Sequence, residues 1–181
     1  AHSAEDLSGG DLCFYLGYEK IVHSSIRARY RNNLAVHASN LPKGRGWSPA
    51  SWLILEGANQ IPVTLFAAVD QADEGPIYSQ KWLDLDGAEL VDDWRKLLAI
   101  ATVNLSREFV AQYPLILESA IDQVGDASVY QRRLAEDSEL NPNKTIAEQF
   151  NLMRVVDNQR YPAFFHYKGE KFMLKISTCP N

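Results

Sequence analysis

The sequence is poor in the features that mark disulfide-bonded, metal-binding and membrane-spanning proteins. It contains two cysteines, Cys13 and Cys179, whose spacing matches no zinc or redox motif. Its longest apolar run, over residues 12–18, is far shorter than the roughly 20 residues that cross a bilayer. No charged, apolar and small-residue signal peptide opens the chain. We therefore predict a protein of the reducing cytoplasm with no metal ion and no membrane anchor.

An excess of positive charge is also absent. The chain has 18 basic and 23 acidic residues and a net charge of −5, which argues against nucleic acid as a partner. A hydrophobic content of 46% and a charged content of 23% are typical of globular proteins and argue against intrinsic disorder. A chain of 181 residues can bury roughly 70% of its unfolded surface. We expect one main domain over 1–120 and a smaller one over 121–181.

The first residues have the pattern of a parallel sheet. Residues 12–17 and 33–37 are apolar without alternation, which is typical of strands buried on both faces, and a helical segment over 24–30 separates them. This order predicts a βαβ unit in an α/β fold with a mostly parallel sheet, whose active groups lie at the carboxyl ends of the strands. His37 stands at such an end.

The rest of the chain alternates between strands and helices. Ser48 followed by Pro49 predicts an N-cap and a first helical residue after a loop over 39–48. Apolar spacing and turn residues predict the remaining elements. These are helices over 49–56, 87–110 and 146–156, strands over 61–66 and 76–82 around an acidic turn, and a hairpin over 163–176. Residues 121–181 are thus expected to form a small α+β module.

Two residues suited to acid–base chemistry follow predicted strands. The ordinary pKa of histidine, near 6.5, would let His37 shuttle protons. A lone histidine is more often structural, but Asp73 lies in a second loop that also follows a strand. A carboxylate against an imidazole orients it and stabilises its charged form. We therefore expect the two side chains to converge on one pocket.

One stretch of this acidic chain carries only basic charge. Between Lys20 and Glu56 there is no acidic residue. The cations within this stretch are Arg27, Arg29, Arg31, Lys43 and Arg45. Such a surface beside a catalytic histidine would suit a small anionic ligand. A solvated helix face is the alternative for the three N-terminal arginines, and both interpretations stay open for the two cations in the loop.

Several segments resemble the folate-dependent formyltransferases. They are HASNLPKGRGWSP at 37–49, IPVTLF at 61–66 and DEGPI at 73–77. That family includes methionyl-tRNA formyltransferase, glycinamide ribonucleotide transformylase and the sugar N-formyltransferases, and it shares a histidine-x-serine-x-leucine-proline loop followed by aspartate-x-glycine. Towards the end of the chain, QRRLAEDSEL at 131–140, LMRVV at 152–156 and YPAFF at 161–165 are similar to sugar-amine formyltransferases. The resemblance therefore covers most of the chain.

The resemblance implies a Rossmann-like formyltransferase domain and transfer of a formyl group from 10-formyltetrahydrofolate, the co-substrate, to a primary amine. The implied tetrahedral adduct needs donors for its oxyanion. His37 would take or relay the proton of the amine, and Asp73 would hold the charged His37 or a nearby water. Relatives place an asparagine two residues before this histidine, where the present chain has Ala35. Asn33 lies roughly 13 Å farther back at about 3.3 Å per residue, so Asn40 is the candidate replacement.

The resemblance also implies an acceptor. Ser39, Lys43 and Arg45 are the candidate substrate-binding residues, and the two cations would meet phosphates. We expect a nucleotide-linked amino sugar of surface-glycan or nonulosonic acid synthesis. Methionyl-tRNA formyltransferase is an alternative, although residues 121–181, with eight basic and eight acidic residues, offer little to bind a tRNA backbone. A catalytically silent folate- or partner-binding relative is a third hypothesis, motivated by Ala35.

The start of the chain is a further departure from the family. Relatives carry additional residues there, which form the first strands of the sheet. The expectation is either a truncated chain or a domain that another chain completes. An open parallel edge at residues 12–18 would favour association, so a homo-oligomer is expected as one arrangement.

Overall fold

A computed structural model describes residues 4–179 of the chain. Every helix and strand expected from the sequence is present, with ends that differ by a few residues. In chain order the elements are β1 (Gly10–Tyr15), α1 (Ser24–Arg27), β2 (Tyr30–His37), β3 (Arg45–Gly46), α2 (Pro49–Leu55), β4 (Gln60–Ala67), β5 (Ile77–Asp84), α3 (Val91–Gln112), β6 (Val129–Tyr130), α4 (Phe150–Val155), β7 (Ala163–Tyr167) and β8 (Glu170–Leu174). Two-residue strands such as β3 and β6 leave no periodic signal in a sequence, which is why they were not expected.

The main sheet has the strand order β1-β2-β4-β5. β1 and β2 pair in parallel across α1, with Phe14 beside Leu34, so the predicted βαβ unit and the α/β class are confirmed. β4 pairs antiparallel with both β2 and β5. Among the described strands the sheet is thus more mixed than expected, because strands joined by a loop as short as the β4–β5 connection can pair only antiparallel.

Burial within the sheet differs from strand to strand. All side chains from Ile61 to Phe66 in β4 are buried, as expected of a central strand. Burial in β1 alternates instead, with Cys13 and Tyr15 buried and Phe14 half-buried. The expectation that β1 is buried on both faces is therefore wrong for the described chain. The half-buried Leu12 and Phe14 lie on one face of β1, so that face is only partly covered within residues 4–179.

The predicted amphipathic helix α3 covers one face of this sheet. Leu105 and Phe109 are fully buried and pack with Leu34 of β2 and Val63 and Leu65 of β4. Burying a side chain of this size contributes about 1.5–3 kcal/mol relative to leaving it exposed. The same surface holds β2 and β4 in place, and both strands lead directly into the loops that carry the candidate site.

A second cluster joins the C-terminal residues to the main core. Ile54 of α2, Trp94 of α3 and Val155 of α4 pack together, and the indole N–H of Trp94 donates a 2.9 Å hydrogen bond to the backbone carbonyl of Arg154. The proposed domain boundary at residue 120 stays a prediction. Within residues 4–179, no helix has both the length and the apolar character needed to cross a membrane.

Candidate active site

His37 is the last residue of β2, and its ring lies over the loop that follows. Its Nε2 is 2.9 Å from the backbone carbonyl oxygen of Gly44. A carbonyl oxygen can only accept, so Nε2 must carry the hydrogen, and Nδ1 is the basic nitrogen of the neutral ring. The side chain is 12% exposed, which leaves the ring within reach of a ligand.

Asp73 meets this histidine from the loop between β4 and β5. Its Oδ2 lies 3.8 Å from His37 Nε2 and accepts a 2.9 Å hydrogen bond from the backbone N–H of Gly46. The residue has a positive φ of 59°, in the left-handed region that aspartate tolerates better than most L-residues. The structure thus brings together the two residues expected to converge, and their catalytic roles stay a prediction.

The glycines between them permit a close approach that side chains would block. Gly44 has a φ of 72°, and a Cβ there would lie 2.9 Å from both the Cβ of Ser39 and the ring of Tyr130. Gly46 has a φ of 92°, and a Cβ there would lie 2.5 Å from the carbonyl oxygen of Tyr130. Both positions therefore require glycine for two independent reasons, conformation and space.

Residues beyond the predicted domain boundary hold this loop from the other side. β3 and β6 pair in parallel. The backbone N–H groups of Arg45 and Trp47 donate to the carbonyls of Ser128 and Tyr130 at 2.9 and 3.1 Å. The N–H of Gly44 donates to Ser128 Oγ at 2.9 Å. Part of the loop predicted over 39–48 is therefore a short paired strand, β3, formed by Arg45 and Gly46.

The ring of Tyr130 packs against this loop and is held in place by two contacts. Its ring stacks on Trp52 at 5.8 Å between centroids and 10° between planes, and its hydroxyl donates to a Glu56 carboxylate oxygen at 2.8 Å. Burial, together with the Glu56 contact, raises the pKa of Tyr130 to about 12. The side chain is therefore neutral at physiological pH. No local motif of the sequence marked Tyr130 or Ser128 as part of the site.

Asn40, the candidate oxyanion donor, is part of a small network of side-chain hydrogen bonds. Gln80 Nε2 donates to Asn40 Oδ1 at 3.1 Å and to Thr64 Oγ1 at 2.7 Å, and Thr64 donates to the carbonyl oxygen of Ser39. This arrangement leaves the Nδ2 group of the exposed Asn40 available to donate. Ser39 is 1% exposed, and its Oγ has no hydrogen-bond partner among residues 4–179. The roles of Asn40 and Ser39 stay predictions.

Asn33 lies outside this hydrogen-bond network, because its side chain is bonded to other groups. Its Oδ1 accepts a hydrogen bond from the Tyr15 hydroxyl at 2.8 Å, and its Nδ2 donates to the carbonyl of Arg27 at 3.0 Å. Asn33 therefore ties β1 and α1 to β2. It does not stand in for the side chain that Ala35 lacks, in keeping with the distance argument from the sequence.

The basic residues of the N-terminal stretch have local partners. Arg27 pairs with Asp70, Arg31 lies 3.1 Å from Asp11, and Arg29 donates to backbone carbonyls. These arginines therefore support the fold instead of forming one cationic surface beside His37. Lys43 is exposed, so its predicted contact with a substrate phosphate stays a prediction.

Arg45 lies in the scaffold of the site. Its Nη1 is 2.7 Å from Glu74 Oε1, and its Nη2 donates to Gln123 Oε1 at 2.7 Å. Both terminal nitrogens thus point towards protein groups, and the predicted contact of Arg45 with substrate remains untested. Gln123 was missed by the sequence-based interpretation, because a single polar residue in an irregular segment carries no pattern.

Two cavities of the described chain lie away from the His37–Asp73 pair. One, of about 560 Å³, is lined by residues of β1 and the α1–β2 connection. The other, of about 450 Å³, lies at the C-terminal end of α3. A pocket around His37 therefore stays a prediction, supported by the 12% and 20% exposure of the two side chains.

Several solved structures share this fold. Methionyl-tRNA formyltransferase from Clostridium thermocellum has 24% identity and a TM-score of 0.75, and the match covers 92% of this chain and 72% of that one. A 4-N formyltransferase from Francisella tularensis has 19% identity, a TM-score of 0.76 and coverages of 98% and 75%. HypX from Aquifex aeolicus, solved in complex with tetrahydrofolic acid, has 16% identity, a TM-score of 0.65 and coverages of 89% and 28%. These likenesses confirm the Rossmann-like formyltransferase fold.

The family model described as formyl transferase matches residues 3–101. This match covers more than half of the chain and contains His37, Asp73 and the loop between β2 and α2. It confirms the resemblance carried by the two sequence signatures and the prediction of an N-formyltransferase. The chain belongs to the formyl transferase family.

Proposed function

We propose that this protein transfers a formyl group from 10-formyltetrahydrofolate to the primary amine of a nucleotide-linked amino sugar. The observation that carries the proposal is the 3.8 Å approach of His37 Nε2 to Asp73 Oδ2 within the family-matched segment. An amine must lose a proton as it is formylated, and an imidazole backed by a carboxylate can accept that proton.

The residues around this pair fit a folate-type co-substrate. When bound, 10-formyltetrahydrofolate supplies the formyl carbon, and its N10 leaves with a proton that comes from the acceptor nitrogen. His37 and Asn40 are the residues that would face the formyl group, and the exposed Lys43 would meet an anionic part of a ligand. HypX, which shares the fold, has been solved with tetrahydrofolic acid, which supports this choice.

Each site residue has one part in this reaction. Nδ1 of His37 accepts the proton, because Nε2 already donates to the Gly44 carbonyl. Asp73 stabilises the resulting imidazolium across 3.8 Å. The amide N–H₂ of Asn40 donates to the oxygen of the formyl group, where negative charge develops.

An amino sugar fits the charge of the chain better than a tRNA. The net charge is −5, and residues 121–181 are neutral. Binding to a nucleic-acid backbone depends on neutralising several phosphates with clustered cations, whereas a nucleotide-linked sugar presents only a short phosphate group. Solved structures of the same fold include a 4-N formyltransferase and sugar N-formyltransferases as well as the methionyl-tRNA enzyme.

Acceptor profiling tests the proposal. The protein is incubated with 10-formyltetrahydrofolate and a panel of nucleotide-linked amino sugars, with methionyl-tRNA as a separate arm, and release of tetrahydrofolate is followed. Turnover with a sugar that is lost in His37→Ala and kept in the exposed control His23→Ala is the expected result. Turnover with methionyl-tRNA alone would overturn the proposal that the acceptor is an amino sugar. Silence with every acceptor while folate still binds would favour the catalytically silent alternative that Ala35 raises.

We also propose a cellular compartment and an oligomeric state for the protein, each on a separate observation. Cys13 is buried and Cys179 is exposed, and neither forms a disulfide, as suits a reducing cytoplasm. A homo-oligomer through the outer edge of β1 would cover backbone groups that β2 does not reach. Sedimentation or light scattering at several concentrations tests this association.

A further inference from the structure

Gln123 connects the loop of Asp73 to the loop of His37. Its Nε2 group donates two hydrogen bonds of 2.8 Å, to the backbone carbonyls of Asp73 and Gly75. Its Oε1 accepts a 2.7 Å hydrogen bond from Arg45. One side-chain amide therefore uses both of its N–H groups on one loop and its oxygen on the other.

The loop held in this way contains a residue in the left-handed region. Asp73 has a φ of 59°, a conformation that most L-residues rarely adopt and that aspartate tolerates better than most. Contacts from the surroundings help to hold a residue in this sparsely populated region. The two carbonyl contacts from Gln123 flank this position, at residues 73 and 75. A second restraint on the same loop is the ion pair between Arg45 and Glu74 at 2.7 Å.

Gln123 is itself anchored to the main sheet. Two residues earlier, Ile121 exchanges reciprocal backbone hydrogen bonds of 2.8 and 2.9 Å with Ile77, the first residue of β5. A side chain that starts from a sheet-bonded position can transmit the rigidity of the sheet to the loop. The Asp73 carboxylate is consequently held where the Gly46 N–H and the His37 ring meet it.

We propose that Gln123 is a positioning residue for formyl transfer, which acts by fixing the Asp73 loop so that the carboxylate faces His37. This inference rests on the proposed role of the His37–Asp73 pair. It assigns no contact between Gln123 and the substrate. Removing its two donated hydrogen bonds should therefore loosen the Asp73 contact and slow the chemical step while substrate binding is retained.

The variant Gln123→Glu removes those two hydrogen bonds and sets a carboxylate oxygen against the two carbonyl oxygens. A glutamate has nearly the same shape and can still accept from Arg45, but its ionised carboxylate cannot donate to the carbonyls of Asp73 and Gly75. Gln71→Glu is the matched control. Gln71 is exposed in the β4–β5 loop that also carries Asp73, and its substitution adds the same charge. Gln123→Ala removes all three contacts without adding charge.

Hydrogen exchange of the Gly46 amide, measured by NMR on the free protein, reports on the loop directly, because this N–H donates to Asp73 Oδ2. In both Gln123 variants we expect this amide to exchange at least about tenfold faster, as for a locally opened contact, with β4 amides unchanged. We expect kcat to fall about tenfold or more, with KM within about twofold, because a small misplacement slows chemistry more than binding.

Two results would overturn the inference. One is Gly46 exchange and kcat in Gln123→Glu equal to those in Gln71→Glu. The other is an equal acceleration at all sheet amides, which would reduce Gln123 to a general stabiliser of the fold. If the unmodified protein transfers no formyl group to any acceptor, the proposed function fails, and the exchange comparison still decides whether Gln123 holds Asp73 in place.

Discussion

The Oδ2 atom of Asp73 is shared between a backbone N–H of Gly46 at 2.9 Å and the His37 ring at 3.8 Å. The shorter contact fixes the carboxylate, and the longer one leaves it a charge partner of the imidazole. Such a carboxylate stabilises a protonated histidine without competing for its basic Nδ1 atom. In the proposed reaction, this arrangement would separate the group that accepts a proton, His37, from the group that stabilises the resulting charge, Asp73.

Asp73→Asn removes the charge of this carboxylate and keeps an oxygen that can accept from Gly46. We expect kcat to fall about 100-fold or more, because the imidazolium loses its charge partner. The melting temperature should change by less than about 3 °C, since the hydrogen bond is preserved. Asp126→Asn, at an exposed position, is the control and should keep its activity. A kcat for Asp73→Asn near that of the control would remove Asp73 from the mechanism.

Gly75→Ala should damage both the fold and the site. A Cβ at this position would overlap the backbone carbonyl oxygen of Ala67, and Ala67 is held in the sheet by its pairing with Leu34 of β2. We expect the free energy of unfolding to fall by about 3 kcal/mol or more. Gly17→Ala is the comparison, because Gly17 has a positive φ of 63° but open space around it, and it should cost about 1–2 kcal/mol. Urea denaturation of both variants measures the difference, and equal losses would contradict the steric argument.

Arg154 is a buried charge whose removal should be costly. It is 1% exposed, and its guanidinium lies 3.3 Å from Glu89 and donates to Asn59 at 2.8 Å. Arg154→Ala would leave Glu89 without its charge partner, so we expect a loss of about 3–5 kcal/mol of unfolding free energy. In the double variant with Glu89→Gln the losses should be less than additive, as for residues in contact. Urea denaturation of the four proteins tests this coupling, and strict additivity would contradict it.

The ion pair between Arg95 and Asp157 predicts a pH-dependent contribution to stability. Burial raises the pKa of the Asp157 carboxyl, but hydrogen bonds from Arg95 and from backbone N–H groups lower it by more, so that the pKa falls to about 2. The folded state therefore favours the ionised form. This contribution, about 2 kcal/mol from the pKa difference, is fully present above the ordinary carboxyl pKa and is lost as the pH falls towards 2.

Asp157→Asn tests this contribution through unfolding free energies measured between pH 7 and pH 2. The variant should be about 1–2 kcal/mol less stable than the unmodified protein at pH 7, and the gap should close as the pH falls below 4. Asp126→Asn, at an exposed position, is the control and should follow the unmodified protein throughout. A gap that stays constant down to pH 2 would show that the charge of Asp157 is not its cause.

Much of the local structure could be predicted from the sequence. The helices over 91–112 and 150–155 carry periodic apolar patterns, and the strands that precede His37 and Asp73 carry continuous apolar runs. Both kinds of pattern reflect the burial that a helix or strand needs wherever it packs. The cover of β1 could not be predicted, because it depends on what packs against each face of the strand. The antiparallel placement of β4 against β2 is likewise a property of the whole sheet.

The residues that support the site could largely not be predicted from sequence patterns. Gln123 donates to the Asp73 carbonyl across 50 positions of sequence, and Ser128 accepts from Gly44 across 84. Hydrogen bonds to backbone carbonyls and amides need no particular residue type on the other side, so they leave no motif. Arg45 was expected to meet substrate because it is a cation in a glycine loop, whereas its nitrogens face Glu74 and Gln123.

From the amino-acid sequence alone came the candidate pair of His37 and Asp73 and the family, because the sequence signatures that carry both are local segments of the chain. Tertiary structure alone decided which way the two side chains face and what restrains them. Those restraints come from Gly46, Tyr130 and Gln123, which reach the site only when segments distant in sequence pack against the same sheet.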